Sequence, residues 1–154
     1  MIIRKARAPD QSGVVECLRA AFAPYTRSYT PQAFRDTVLD ESTVSGRFEA
    51  MTIFIAEHER VVVGTIGCQQ TDSAEGHLRG MGVRPEWQGS VVAHLLLSAA
   101  ELELASRGCA RVTLDTTQPL ERAMRFYEKH GYRRTGRTAE FFGMLLYEFA
   151  KSLE

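Results

Sequence analysis

The middle of the chain contains a junction in which a strand, a proline turn and a glycine loop lead directly into a helix. Residues 77–83 are strand-like, Pro85 enforces a turn, and the loop around Gly89 runs into a helical pattern beginning near Val92. The first turn of such a helix has unpaired main-chain N–H groups and the positive end of the helix dipole, so it can bind a pyrophosphate. On this segment alone, an ordinary loop before a helix is the more common interpretation.

Hydrophobic periodicity predicts a single domain over residues 1–154 in which strands and helices alternate. Residues 92–102 follow the spacing of a helix, whereas the β-branched runs before them follow the spacing of strands. The predicted order is β-α-α-β-β-β-α-β-α-β-β, which gives an α/β fold with one mixed sheet and helices on both faces. The predicted strands span residues 2–6, 51–56, 61–68, 77–83, 111–114, 132–137 and 142–149.

Two helices are predicted in the first third of the chain. The first starts at Asp10 and has an apolar face that includes Cys17, which we expect to be a buried structural thiol. The second is short and follows Thr30, a candidate N-cap, with Pro31 at its first position.

Two longer helices are predicted in the second half of the chain. The helix after the glycine loop is expected to end near Gly108 and to bury one apolar stripe. The stripe consists of Val92, Leu95, Leu96, Ala99 and Leu102. The last helix is expected over residues 119–130, opened by Pro119 and closed by Gly131.

Charge balance and cysteine usage argue against several classes of function. Nineteen basic residues balance 19 acidic ones, so no charge excess points to nucleic acid or to an anionic membrane. Three widely spaced cysteines without a C-x-x-C pair make neither a disulfide framework nor a zinc site, so no metal is expected. The N-terminus lacks the apolar region of a signal peptide, and no apolar run is long enough to span a membrane. We therefore expect a cytoplasmic protein.

Two common nucleotide motifs are absent from the glycine loop. The sequence has no G-x-G-x-x-G, which argues against a dinucleotide-binding fold, and no G-K-[ST], which excludes a P-loop. Two other motifs are present. Val83, Pro85, Gln88, Gly89 and Ala93 match V-x-P-x-x-[QR]-G-x-G-x-[GA], and Ala123, Tyr127, Gly131 and Tyr132 match A-x-x-x-Y-x-x-x-G-[FY]. With these motifs and its element order, nearly the whole chain resembles the GNAT superfamily of acetyl-CoA-dependent N-acetyltransferases.

The resemblance implies a fold and a cosubstrate site. The expected fold is a mostly antiparallel sheet of six to seven strands, in which the strand through Met81, Gly82 and Val83 separates from its neighbour at a bulge. The pantetheine arm of acetyl-CoA would insert there, because a bulge frees main-chain hydrogen-bonding groups. The pyrophosphate would rest on the loop amides. The loop residues in question are Gln88, Gly89, Ser90, Val91, Val92 and Ala93.

The resemblance also implies an acyltransferase mechanism in which an amine attacks the thioester directly. A strand amide would stabilise the developing oxyanion. Tyr127 matches the family's usual general acid, which protonates the departing thiolate; the alternative is a core aromatic on a helical face. Two residues are candidates for the general base. One is His77, whose usual pKa of about 6.5 suits the task, and the other is Glu75, two residues earlier on the same strand face. His58 and His130 are not expected in the site, and His94 is expected to be exposed.

Val91 stands where the family usually has glycine. Its side chain is expected to restrict the approach of the loop to phosphate, so that Val91→Gly would tighten CoA binding and slightly lower the melting temperature. This departure supports an alternative function, a degenerate CoA-binding or sensor module without activity.

The acceptor is not identified by the sequence. It would be a small-molecule or protein amine, selected by two segments of variable character, residues 23–50 and 139–143. Aromatic side chains are frequent in these segments and could line a pocket, belong to the core or form a homodimer contact. They are Tyr25, Tyr29, Phe34, Phe48, Phe141 and Phe142.

Overall fold

Helices and strands follow one another along the chain in the computed structural model, which describes residues 1–153. The first half contains β1 (Ile2–Lys5), α1 (Gln11–Phe22), α2 (Pro31–Thr37), α3 (Val44–Ala50), β2 (Thr52–His58) and β3 (Val61–Gln70). The second half contains β4 (Glu75–Val83), α4 (Val92–Ser106), β5 (Arg111–Thr117), α5 (Glu121–Lys129), β6 (Arg133–Phe141) and β7 (Met144–Ser152).

The seven strands form one sheet in the order β1-β2-β3-β4-β5-β7-β6. Only β4 and β5 run parallel to each other, and the other neighbours are antiparallel. The parallel pair is joined by α4, which provides the crossover that parallel strands require. The predicted fold, a mixed and mostly antiparallel sheet with helices on both faces, is confirmed.

The sheet opens along the second half of β4. The pairing of β4 with β5 ends at Leu78, although β5 continues beside β7 as far as Thr117. On its other edge, β4 has a bulge opposite β3, where the register shifts and Gly80 takes a φ of +69°. A bulge bends the strand that carries it, so β4 turns away from β5, as the family resemblance implied.

Apolar side chains pack against both faces of the sheet. One cluster joins α1, α2 and α3 to the sheet, and it contains Cys17, which is fully buried as expected. The other joins α4 and α5 to the opposite face and is centred on residues such as Leu96 and Phe149. The side chain of Thr30 caps α2 at the N–H of Ala33, which confirms the predicted start of that helix.

The buried stripe of α4 differs from the prediction. Leu97, Ala100 and Leu104 are buried beside Val92 and Leu96, and Leu102 is 71% exposed. Most positions of α4 are apolar, so the spacing alone does not decide which stripe faces the sheet. The 15 residues of α4 make it the longest helix within residues 1–153, and none of the helices there combines the length and apolarity that crossing a membrane needs.

Two further differences concern helices, one of which was not predicted and one of which starts later than predicted. The helix α3 was not predicted, because Val44 is its only buried residue and seven residues give no readable period. The helix α5 begins at Glu121, after Leu120 as N-cap, so Pro119 lies before the helix and not at its first position. The predicted stop is confirmed, since Gly131 takes a φ of +95°, which glycine adopts without strain.

Candidate functional site

A cavity of about 920 Å³ lies where β4 and β5 separate. Its walls come from the bulged half of β4, the end of β5, α1 and α5, and it extends to the loop before α4. This volume is in the range typical of small-ligand sites. The cavity therefore brings the glycine loop and the second sequence motif, which are distant in the chain, to the same place.

The glycine loop forms an anion-binding cradle at one end of the cavity. Gly89 takes a φ of +79°, and Val91 precedes the first residue of α4. Within residues 1–153, the main-chain N–H groups of Gly89, Val91 and Ala93 have no hydrogen-bond acceptor. Unpaired N–H groups at the start of a 15-residue helix fit a phosphate, so the residues present are suited to the pyrophosphate of CoA.

Two basic side chains, which sequence analysis did not single out, lie in or beside the cavity near α5. The guanidinium of Arg122 donates to the side-chain oxygen of Gln88 at 3.2 Å, and Gln88 in turn donates to the carbonyl of Val83 at 3.0 Å. Lys129 also lines the cavity. The loop is therefore held between the open end of β4 and the start of α5, with the cation of Arg122 beside it.

Two histidines meet beside the cradle. His94 Nδ1 and His130 Nε2 are 3.1 Å apart, and both residues line the cavity. His130, which the sequence did not make a site candidate, therefore lies on the cavity wall, because the end of α5 packs beside the first turn of α4. His94 is exposed as expected. His58 packs on Trp87 and does not line the cavity, in agreement with the prediction.

Val91 does not obstruct the cradle. It has a φ of −75°, which valine adopts without strain, and its side chain is 56% exposed and is not part of the cavity lining. Met81, Gly82 and Val83 line the cavity, as do Gln88, Gly89, Ser90 and Ala93, whereas Val92 is buried in the core. The reason for expecting tighter CoA binding by Val91→Gly is thereby removed.

We predict opposite behaviour for two substitutions in this loop. Gly89→Ala should weaken CoA binding about 5- to 30-fold, because a positive φ costs an alanine about 1–2 kcal/mol and the loop would relax away from the binding conformation. Val91→Gly is the matched control and should change the affinity by less than about three-fold, since its φ is already negative. Calorimetric titration of both variants with CoA checks this. A larger loss in Val91→Gly than in Gly89→Ala would contradict it.

Tyr127 lies on the cavity wall, opposite the bulge of β4. Its side chain is 8% exposed and lines the cavity, and its hydroxyl donates to the Sδ atom of Met81 at 3.3 Å. Burial raises the pKa of this hydroxyl above its ordinary value of about 10. The phenol therefore stays protonated at neutral pH, and a thioether is a weak acceptor that a better one can replace.

His77 contacts a carboxylate that sequence analysis did not identify. Its Nδ1 lies 2.8 Å from Thr113 Oγ1, and its Nε2 lies 3.7 Å from Asp115 Oδ2. Thr113 can donate to the carbonyl of Gly76 at 3.5 Å, so it can accept from Nδ1, which leaves the lone pair on Nε2. Burial lowers the pKa of His77, and the carboxylate of Asp115 opposes that effect. Burial raises the pKa of Asp115, because it disfavours the charged carboxylate. Both side chains line the cavity.

Glu75 lies outside the cavity. Its carboxylate accepts from Arg111 at 2.6 Å, in an ion pair at the start of the β4–β5 ladder. The structure therefore does not bring together His77 and Glu75 in one site, although they lie on the same strand face. His77 is instead paired with Asp115, which β5 places beside it.

Aromatic side chains line the end of the cavity away from the cradle. Tyr25, Tyr29 and Phe141, from the segments expected to select the acceptor, are joined there by Phe22. Tyr29 is fixed by a hydrogen bond of 2.6 Å to the hydroxyl of Thr117. The other three aromatic residues of these segments do not line the cavity. Phe34 and Phe48 pack against the core, and Phe142 is exposed.

Comparison with known proteins gives matches to acetyltransferases in both sequence and structure. The family model described as the acetyltransferase (GNAT) family matches residues 15–132. A GNAT-family acetyltransferase from Staphylococcus aureus Mu50 is 17% identical, with 99% of each chain covered and a TM-score of 0.80. The PaiA N-acetyltransferase from Thermoplasma acidophilum, solved with coenzyme A, is 16% identical over 98% of each chain, with a TM-score of 0.79. An aminoglycoside 6'-N-acetyltransferase solved with coenzyme A is 19% identical, with 100% of this chain and 98% of the other covered and a TM-score of 0.73.

Proposed function

Because this chain belongs to the acetyltransferase (GNAT) family, we propose that it transfers an acetyl group from acetyl-CoA to a primary amine by direct attack in a ternary complex. One observation carries the proposal. The cavity between β4 and β5 has an anion cradle at one end and two groups suited to proton transfer, Tyr127 and His77, on its walls.

Binding would use main-chain groups at two places. The N–H groups of Gly89, Val91 and Ala93, together with the cations of Arg122 and Lys129, would hold the diphosphate. Acetyl-CoA would supply the acyl group as a thioester, which needs no covalent enzyme intermediate. The edge of β4 beyond Leu78 has no strand beside it on the β5 side, so its main-chain groups can bond the pantetheine arm and the thioester oxygen.

Two proton transfers would accompany the attack. His77 would take the proton from the acceptor nitrogen through Nε2, and the nearby carboxylate of Asp115 would stabilise the resulting imidazolium. Tyr127 would donate its proton to the departing sulfur, because its burial keeps the hydroxyl protonated until a thiolate develops. The two groups have separate tasks, so their removal should have separable effects.

Thermal shift provides the first test. CoA and acetyl-CoA at a hundred times their dissociation constants should each add about 2.7 kcal/mol of stability, or about 5–10 °C for a chain of this length. ATP should give little shift, because it lacks the pantetheine arm that β4 would bind. No response to either form of CoA would overturn the donor assignment while leaving the family membership intact.

Turnover provides the second test. Released CoA thiol should appear when the protein is given acetyl-CoA and a panel of primary amines. Binding of CoA without thiol release on any amine would favour the alternative function, a CoA-binding module without activity.

A further inference from the structure

Arg47, on α3, lines the cavity and has no carboxylate partner. We call the aromatic end of the cavity, away from the cradle, the acceptor end. The guanidinium of Arg47 makes one hydrogen bond in the described part of the chain, from Nη2 to the carbonyl of Asp36 at 3.3 Å. Within residues 1–153, no carboxylate oxygen lies within 4.0 Å of it. Arg47 lines this cavity and also a smaller pocket between α2 and α3, and the remaining donors of the guanidinium are open to a ligand.

The neighbouring charges are already paired. The carboxylate of Asp36, whose charge acts on Arg47, is held in an ion pair by Arg79. Asp115, the only acid in the cavity lining within residues 1–153, faces His77 instead. The acceptor end thus contains one positive charge that the protein does not balance.

The guanidinium is packed directly against the bulge of β4. A Cβ atom at Gly80 would lie 2.5 Å from Arg47 Nη1, so any side chain there would displace the guanidinium, and the φ of +69° favours glycine at this position. The next residue, Met81, contacts the hydroxyl of Tyr127 through its Sδ atom. Arg47 therefore borders the part of β4 at which the proposed transfer takes place.

A partly buried cation without a partner is costly to maintain. Burial, and then the neighbouring Arg79, lower the pKa of Arg47 to about 10, and Asp36 offsets this only in part. The side chain is still charged at neutral pH. An arriving carboxylate would pair with the planar fork of the guanidinium and remove this cost.

We propose that Arg47 binds a carboxylate of the acceptor, so that the substrate is an amine that also carries a carboxylate, such as a free amino acid. This inference rests on the proposed acetyl transfer. The carboxylate lies on the guanidinium, the amine is directed to His77 and Asp115, and an apolar side chain packs among the aromatic residues of the cavity. Those aromatic residues are Phe22, Tyr25, Tyr29 and Phe141.

The same guanidinium could instead bind a carboxylate on the acyl group of the donor. The two sources share one chemistry, and the experiment separates them. Acceptors are compared in pairs that differ only by the carboxylate, namely L-phenylalanine with phenethylamine and L-leucine with 3-methylbutylamine. Donors are compared as acetyl-CoA and succinyl-CoA, each with phenethylamine.

The expected result is a preference that depends on Arg47. In the wild type, kcat/KM should be about ten- to hundred-fold higher for each amino acid than for its amine, the range expected for a charge-assisted hydrogen-bonding pair. Arg47→Met should remove this preference by raising KM for the amino acid, with KM for acetyl-CoA unchanged. Arg47→Lys should restore part of it. Arg35→Met, an exposed change on α2 outside this cavity, is the matched control and should behave as the wild type.

Binding is measured separately, so that the result does not depend on turnover. The wild-type protein saturated with CoA is titrated with L-phenylalanine, L-leucine and the two amines, and the melting temperature of each variant is checked first. Equal binding of amino acids and amines, or no binding of either amino acid at millimolar concentration, would overturn the inference. So would a preference for succinyl-CoA that Arg47→Met abolishes. If CoA itself fails to bind, the proposed function fails as well, and the two failures are thereby distinguished.

Discussion

Replacing Tyr127 by phenylalanine is expected to lower kcat by about a hundred-fold or more, within the range that general acid catalysis contributes. The substitution would remove the proposed proton donor for the thiolate and little else. The only partner of the hydroxyl within residues 1–153 is the Sδ atom of Met81, and a thioether is a weak acceptor. Stability and CoA affinity should therefore change little. The measurement is single-turnover release of CoA thiol, which isolates the chemical step.

A second tyrosine provides the control for this result. Tyr147 on β7 lies under the guanidinium of Arg134 and does not line the cavity. Tyr147→Phe should therefore retain the turnover of the wild type. Unchanged single-turnover rates in Tyr127→Phe would show that Tyr127 is a core aromatic, the alternative that its helical spacing also allows.

Replacing His77 by alanine is expected to lower kcat at neutral pH by about a hundred-fold or more. The wild type should show an acidic limb in kcat, with activity lost as the pH falls and His77 gains its proton. Burial lowers the pKa of His77, so the midpoint of this limb should lie below the ordinary value of about 6.5. His77→Ala should remove the limb. A limb that persists unchanged in this variant would assign the base to another group.

Substitution of Asp115 tests the direction in which this carboxylate shifts the pKa of His77. Its carboxylate raises the pKa of His77 against the effect of burial. Asp115→Asn should therefore move the acidic limb to lower pH and reduce the maximal kcat, because the imidazolium loses its stabilising charge. Glu75→Gln is the matched control on the same strand. Its ion pair with Arg111 lies outside the cavity, and its charge raises the pKa of His77 less than that of Asp115 does. The acidic limb of that variant should therefore move to lower pH by less than in Asp115→Asn, with the maximal kcat unchanged.

The charged residues of the cavity would both select the acceptor and position it for the proposed reaction. Asp115 and Arg47 lie on different walls, from β5 and α3, and carry opposite charges toward the same space. An acceptor with both an amine and a carboxylate would satisfy both. The amine would then be placed beside His77 by two contacts instead of one, which favours a productive geometry.

The sequence by itself determined the parts of the site that depend on neighbouring residues. The cradle is one such part, because Gly89 supplies the positive φ and the start of α4 follows directly. The end of α5 at Gly131 is another. Tyr127 could be proposed because its motif runs along α5 into the turn that closes this helix, so the positions of its residues relative to one another are set locally.

Only the tertiary structure decided which distant side chains meet. The ladder of β4 and β5 places Asp115 beside His77, although the hydrogen-bonded pair of His77 and Thr113 is 36 residues apart in the chain. The packing of α3 over the bulge at Gly80 brings Arg47 into the cavity. Neither side chain has a local pattern that marks it. Their partners are set by strand register and helix packing, in which the whole core takes part, so Asp115 and Arg47 could not be singled out from periodicity or motif.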